Sequence, residues 1–217
     1  MHFLDAWTSI GPLEALRQLL PALLLFLAVF LPGRRVARAT ALGVALGVLG
    51  SREIGSGPLI GSWFVLWVVV AVCVGASREE EWSTAAPRPG GIESGMVGLA
   101  LGLVLMALLI VAVGRQNLSP DDTRRGSLGL LLLGCGLLHL LVRRDAVRGA
   151  LGFATLGLGL QVLERAARDA ALPEVDASSW RVVLATAIAV ALTVRVAAVR
   201  QRDAGSAWVS DAHDLHD

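Results

Sequence analysis

The sequence predicts an all-α, polytopic integral membrane protein of about seven transmembrane helices, with the N-terminus outside and the C-terminus cytoplasmic. Three observations lead there. Hydrophobic residues make up 55% of the 217 positions and charged residues only 17%, with a mean hydropathy of +0.67. That is more apolar surface than a soluble domain of this length needs. The apolar residues come in long blocks rather than at amphipathic spacing, which is the pattern of membrane helices. Arginines gather in short turns between those blocks, where they set the direction of threading.

The blocks place spans at 16–31, 36–50, 58–76, 95–113, 127–142, 146–163 and 182–199. A bilayer core of about 30 Å takes roughly 20 helical residues, which the third and fourth spans meet easily. The first carries no basic stretch ahead of it, so it reads as a retained helix rather than a cleaved signal peptide; Pro21 interrupts it. The second is the weakest. It is short and has Arg38 in its first turn, so it relies on snorkelling or on its neighbours. A six-span alternative omits it. Trp63 and Trp67 stand one turn apart on the third span, a helix-packing pattern, and Trp180 opens the last span as an interfacial anchor.

Seven spans put Arg34, Arg35, Arg38, Arg78, Arg88, Arg143, Arg144, Arg148, Arg200 and Arg202 on one side. The other side holds Arg17, Arg52, Arg115, Arg124, Arg125, Arg165, Arg168 and Arg181. The two tight turns of the first set are dense in arginine and poor in acid, and they define the cytoplasmic face. The Arg124–Arg125 pair pulls the other way.

The chain divides into N-terminal membrane helices 1–4 (1–114), a three-helix membrane region (115–199) and a polar tail (200–217). A faint repeat links the first two. Arg34, Arg35 and Arg38 precede ATALGVALG, and Arg143, Arg144 and Arg148 precede GALGFATLG. Each turn would join the first and second helices of a three-helix unit, with both units in the same orientation, as in parallel repeats. Arginine-rich turns before Ala/Gly/Leu helices also arise by composition alone. Gly43 and Gly47, Gly98 and Gly102, and Gly152, Gly157 and Gly159 predict close helix packing, because small residues let helices associate in lipid.

Net charge is +1, which gives no basis for a nucleic-acid partner. Cys73 and Cys135 lie within apolar blocks and read as small hydrophobes. Glu79, Glu80 and Glu81 belong to a solvated loop before they belong to a docking site. His213 and His216, with three aspartates in the tail, lack the scaffold a metal site needs. No nucleophile elbow, phosphate loop, metalloprotease or cofactor motif occurs. The sequence therefore predicts no catalytic residue, no metal and no cofactor.

The spans hold no Asp, Glu or Lys at mid-depth, where charge is costly and commonly functional. Besides Glu14 and Arg17 at the entrance of the first span and Arg38 on the second, His139 and Arg195 lie near span ends. His139 reads as an interfacial histidine capped by a backbone carbonyl, ahead of a proton-relay member, since no carboxylate is near it in sequence. Arg195 reads as a snorkelling side chain.

The run GLLHLLVRRDAVRGALGF (136–153) resembles the helix, arginine-rich turn and helix of the small NuoK-like subunits of complex I. The longer layout is similar to HyfE-like proteins, component E of group-4, formate-hydrogenlyase-type hydrogenases, in which extra N-terminal helices precede a NuoK-like three-helix end. The resemblance implies a membrane subunit of a hydrogenase-like or complex I-like assembly, beside a larger antiporter-like subunit, in the bacterial cytoplasmic (inner) membrane. The candidate coupling or assembly residues are Arg143, Arg144 and Arg148 of that turn, with His139 and Arg195 from the span ends. It also implies membrane glutamates near Gly157 and Ala187, where this chain has none. The expectation is thus a non-catalytic subunit that contributes packing and coupling, with a standalone small transporter or an orphan membrane protein as the alternative. A transporter would want broken helices and a polar midplane, and Pro21 is the one interruption of that kind.

Overall fold

A computed structural model describes residues 7–8, 10–31, 33–51, 54–55, 57–76, 119–142, 146–171 and 179–203, together with 100, 104, 107 and 111. The described residues are all helical or in turns. They form α1 (Pro12–Phe30), α2 (Arg34–Gly50), α3 (Gly57–Ala76), α4 (Pro120–Val142), α5 (Ala146–Ala171) and α6 (Ser179–Asp203). The expected span at 95–113 lies almost wholly outside the described residues, as do the loop glutamates at 79–81 and the tail histidines.

Every described helix is longer than its apolar block. α4 starts at Pro120 rather than 127, because Ser119 caps it: the Asp122 amide donates to Ser119 Oγ at 3.2 Å and the Thr123 amide to the Ser119 carbonyl at 2.9 Å. Arg124 and Arg125, expected in a loop, are therefore helical. α5 runs on to Ala171 and α6 starts at Ser179. Pro21 does not break α1, which is continuous from Pro12 to Phe30. Its ring is buried beside Gly47, whose missing side chain leaves room for it.

Four helical segments are long and apolar enough to cross a membrane: Pro12–Val29, Gly57–Ala76, Pro120–Val142 and Trp180–Arg202. At 17 residues, α2 reaches about 25 Å at 1.5 Å per residue, short of the hydrocarbon core. It survives by being covered: Ala37, Thr40, Ala41, Val44, Ala45 and Val48 recur every three or four positions and are all buried. The surface supports a bilayer as the surroundings. Leu16, Leu20, Leu23 and Leu27 on α1, Val65, Val69 and Val72 on α3, and Leu184, Ile188, Leu192 and Val196 on α6 are all exposed. Apolar faces of that extent are not sustained in water.

The helices form two rows of three. In the first, α1 packs on α2 and α2 on α3; in the second, α4 packs on α5 and α5 on α6. The rows meet in matching order, with α1 against α4, α2 against α5, and α3 against both α5 and α6. They also run in the same direction. The Cys135 thiol on α4 faces the Ala22 carbonyl on α1 at 3.9 Å, and Arg124 near the start of α4 shares a cavity with Glu14 and Arg17 near the start of α1. This is the arrangement that the faint repeat predicts.

Candidate functional site

Gly33 stands at the turn between α1 and α2, as the N-cap of α2. Gly33 has φ +103, a conformation that glycine adopts freely and other residues resist. The turn leaves the last carbonyls of α1 without helical partners, at the negative end of the helix dipole.

Arg148, on the first turn of α5, fills that need. Its Nη1 and Nη2 each donate to the Leu31 carbonyl at 3.3 Å, and Nη2 also donates to the Gly33 carbonyl. Arg148 is only 4% exposed. A planar guanidinium can hold two carbonyls at once where a lysine could hold them only as a point charge. Arg148 thus ties the basic turn of the first row to the start of the central helix of the second. Arg38 completes this end: its side chain lies along Gly75 at the end of α3, where a Cβ would be 2.8 Å from Arg38 Cδ.

The other expected site residues fall in different places. Arg143 and Arg144 lie outside the described residues. His139 is in the last turn of α4 and is fully buried. Arg195 is on the exposed side of α6 and is not brought to the Arg148 clamp. Among the three that are described, Arg148 is the one joined to the turn that precedes α2.

Below the clamp, α5 carries a seam of glycines that face two ways. Gly152 and Gly159 face α4: a Cβ at Gly159 would be 2.7 Å from the Leu133 amide nitrogen, and one at Gly152 would be 2.7 Å from Leu140 Cδ2. From α4, Gly136 and Gly129 return the contact: a Cβ added at either would come within 3.0 Å of α5 backbone. Gly157 faces α6, where its Cβ would fall 2.0 Å from Thr186 Oγ1. Thr186 Oγ1 donates to the Val182 carbonyl at 2.7 Å, and Thr155 Oγ1 to the Leu151 carbonyl at 2.7 Å. Hydroxyls in an apolar medium are satisfied here within their own helices.

Among the buried polar residues outside the expected site set, Gln161 and Arg124 are the largest. Gln161 is 1% exposed, and Arg124 is 8% exposed although it stands near the start of its helix. For Arg124 the available signal was Asp121 three residues earlier, which accepts from Arg124 Nη2 at 2.8 Å. Cys73 and Cys135 are both free thiols on separate helices. Among the described residues, no group of three or more His, Cys, Asp or Glu side chains is placed to hold a metal ion.

Comparison with protein-family models, with curated proteins and with solved structures finds no match to this chain.

Proposed function

We propose that this chain is a non-catalytic integral membrane subunit of a complex I-like or hydrogenase-like respiratory or ion-translocating complex, with a packing and coupling role. The observation that carries the reading is the contact between Gly157 and Thr186. A side chain at position 157 would overlap Thr186, so the site of an ion-carrying carboxylate is occupied by helix packing. Ala187, the other expected position, is packed against the apolar core. Arg148, held by backbone carbonyls of the neighbouring row, acts as an assembly residue, and Arg143 and Arg144 extend the same basic turn.

The reading places the protein in the bacterial inner membrane with seven spans, the N-terminus outside and the basic turns cytoplasmic. Its neighbours are other membrane subunits, among them a larger antiporter-like one. The apolar faces of α1 and α6 provide surface for lipid and for such neighbours.

Extraction in a mild detergent followed by native mass spectrometry tests this directly. Co-purification with larger membrane subunits is expected, and a monodisperse monomer or homodimer would overturn the proposal. Replacing Arg143 and Arg144 together by Ala should weaken that assembly; unchanged assembly would leave them as topology determinants only. A periplasm-sensitive reporter fused after Arg202 should be silent, and activity there would reverse the orientation or change the span count.

A further inference from the structure

The opposite end of the molecule holds a cavity of about 210 Å³ lined by Ile10, Glu14, Arg17, Gln18, Gly50, Ser51 and Arg124. Drug-sized ligands occupy roughly 300–1,000 Å³, while a water claims about 30 Å³. The space therefore suits a small polar group. The two arginines reach it from different helices. Arg17 lies against Gly50, where a Cβ would be 3.0 Å from Arg17 Nη2. Larger residues at position 50 would push that guanidinium away.

Arg124 is the more telling. Its side chain is nine-tenths buried. Asp121 takes one guanidinium nitrogen at 2.8 Å, but Arg124 Nε is buried with no hydrogen-bond partner among the described residues. A buried cation that is incompletely hydrogen-bonded is costly, and an oxyanion beside it offsets that cost. Arg17 is only loosely engaged, its nearest carboxylate oxygen being Glu14 Oε2 at 4.0 Å. Arg17 and Arg124 are set against the carboxylates of Glu14 and Asp121, so the unmet need here is the buried Arg124 Nε–H rather than an excess of charge.

We infer that this cavity, between α1, the end of α2 and the start of α4, is a phosphate-binding site that takes a phospholipid headgroup or free phosphate. A tetrahedral phosphate has oxygens enough to meet two guanidiniums arriving from separate helices. The cavity sits at helix ends, the depth of a membrane's headgroups. Leu13, Leu16 and Leu20 are exposed on α1 alongside it and give acyl chains an apolar surface. The headgroup is thus the better-supported source.

The test uses the full chain in detergent, read by native mass spectrometry with three additions: phosphatidylglycerol, diacylglycerol with the same acyl chains, and sodium phosphate. One retained phosphatidylglycerol per chain is expected, with diacylglycerol retained at least tenfold less. Arg17→Gln, at an exposed position that leaves the fold intact, and Arg124→Gln should each lower phosphatidylglycerol retention about tenfold. Arg181→Gln, at the same end but outside the cavity, should leave it unchanged. Sodium phosphate that displaces the lipid, or that binds alone and is lost in the same two variants, supports the site with the free anion as occupant. Equal retention of diacylglycerol and phosphatidylglycerol, or equal retention by wild type and Arg17→Gln, overturns the inference.

Discussion

The two rows of three helices share a layout and differ in how their helices meet. The α1–α3 row fills its interior with side chains. Trp63 and Trp67 are fully buried, with Leu25, Val44, Val48 and Val70 around them. Where it uses glycine, at Gly43 and Gly47, the facing atoms are the side chains of Leu24 and Pro21. The α4–α6 row instead brings backbones together: Gly129, Gly136 and Gly159 each lie within 3.0 Å, measured from an added Cβ, of a neighbour's main-chain atom. The rows also differ in polarity. Among the described residues, Thr40 is the buried polar residue of the first row, while Thr123, Arg124, Ser127, His139, Arg148, Thr155, Gln161 and Thr186 belong to the second. One layout is thus stabilised in two ways. Bulk burial tolerates imprecision in position; backbone contact between helices does not.

The contrast can be broken or sharpened by substitution, read as thermal unfolding in detergent. The largest effect should come from Trp67→Ala, which empties the centre of the first row; large-to-small changes of this kind cost about 4 kcal/mol. A loss below about 1 kcal/mol would mean that the row does not rest on that core. Gly159→Ala should follow, at about 3 kcal/mol, because its added methyl meets main-chain atoms that cannot rotate away. Arg148→Ala comes next at about 2 kcal/mol, the scale of charge-assisted hydrogen bonds lost from two carbonyls. Arg148→Lys should recover only part of it, since an ammonium cannot reproduce the fork; full recovery would reduce the clamp to its charge. The smallest effect, under about 1 kcal/mol, should be that of Gly43→Ala, where the obstacle is the flexible end of Leu24. Equal costs at Gly43 and Gly159 would erase the distinction between the rows.

Much of the fold is visible in the sequence because membrane helices announce themselves by block composition. The apolar blocks place all six described helices, and the buried tryptophan pair follows from its one-turn spacing on α3. Helix ends are less visible. Ser119 and the acidic turn after it extend α4 past the last apolar residue, since capping continues a helix into polar sequence. The expected break at Pro21 also fails, because Gly47 opens space for the ring and the helix runs on. The candidate site was legible only as a concentration of arginine. Nothing in the order of residues separates Arg148, clamped on two carbonyls, from Arg195, which lies on an exposed face. His139 keeps its expected place in the last turn of α4, but its full burial depends on packing that residue order does not specify.

The sequence by itself determined that this chain is helical, that a bilayer suits its surface, and that no carboxylate stands at mid-depth in its spans. Those properties follow from composition along a single segment, which each helix carries whatever its neighbours are. Only the tertiary structure decided which glycines touch backbone, which arginine bridges the two rows, and that Arg17 and Arg124 line one cavity across more than a hundred residues of chain. These are relations between helices. They depend on rotation and register about each axis, and a run of leucine, alanine and glycine leaves both undetermined until the helices pack.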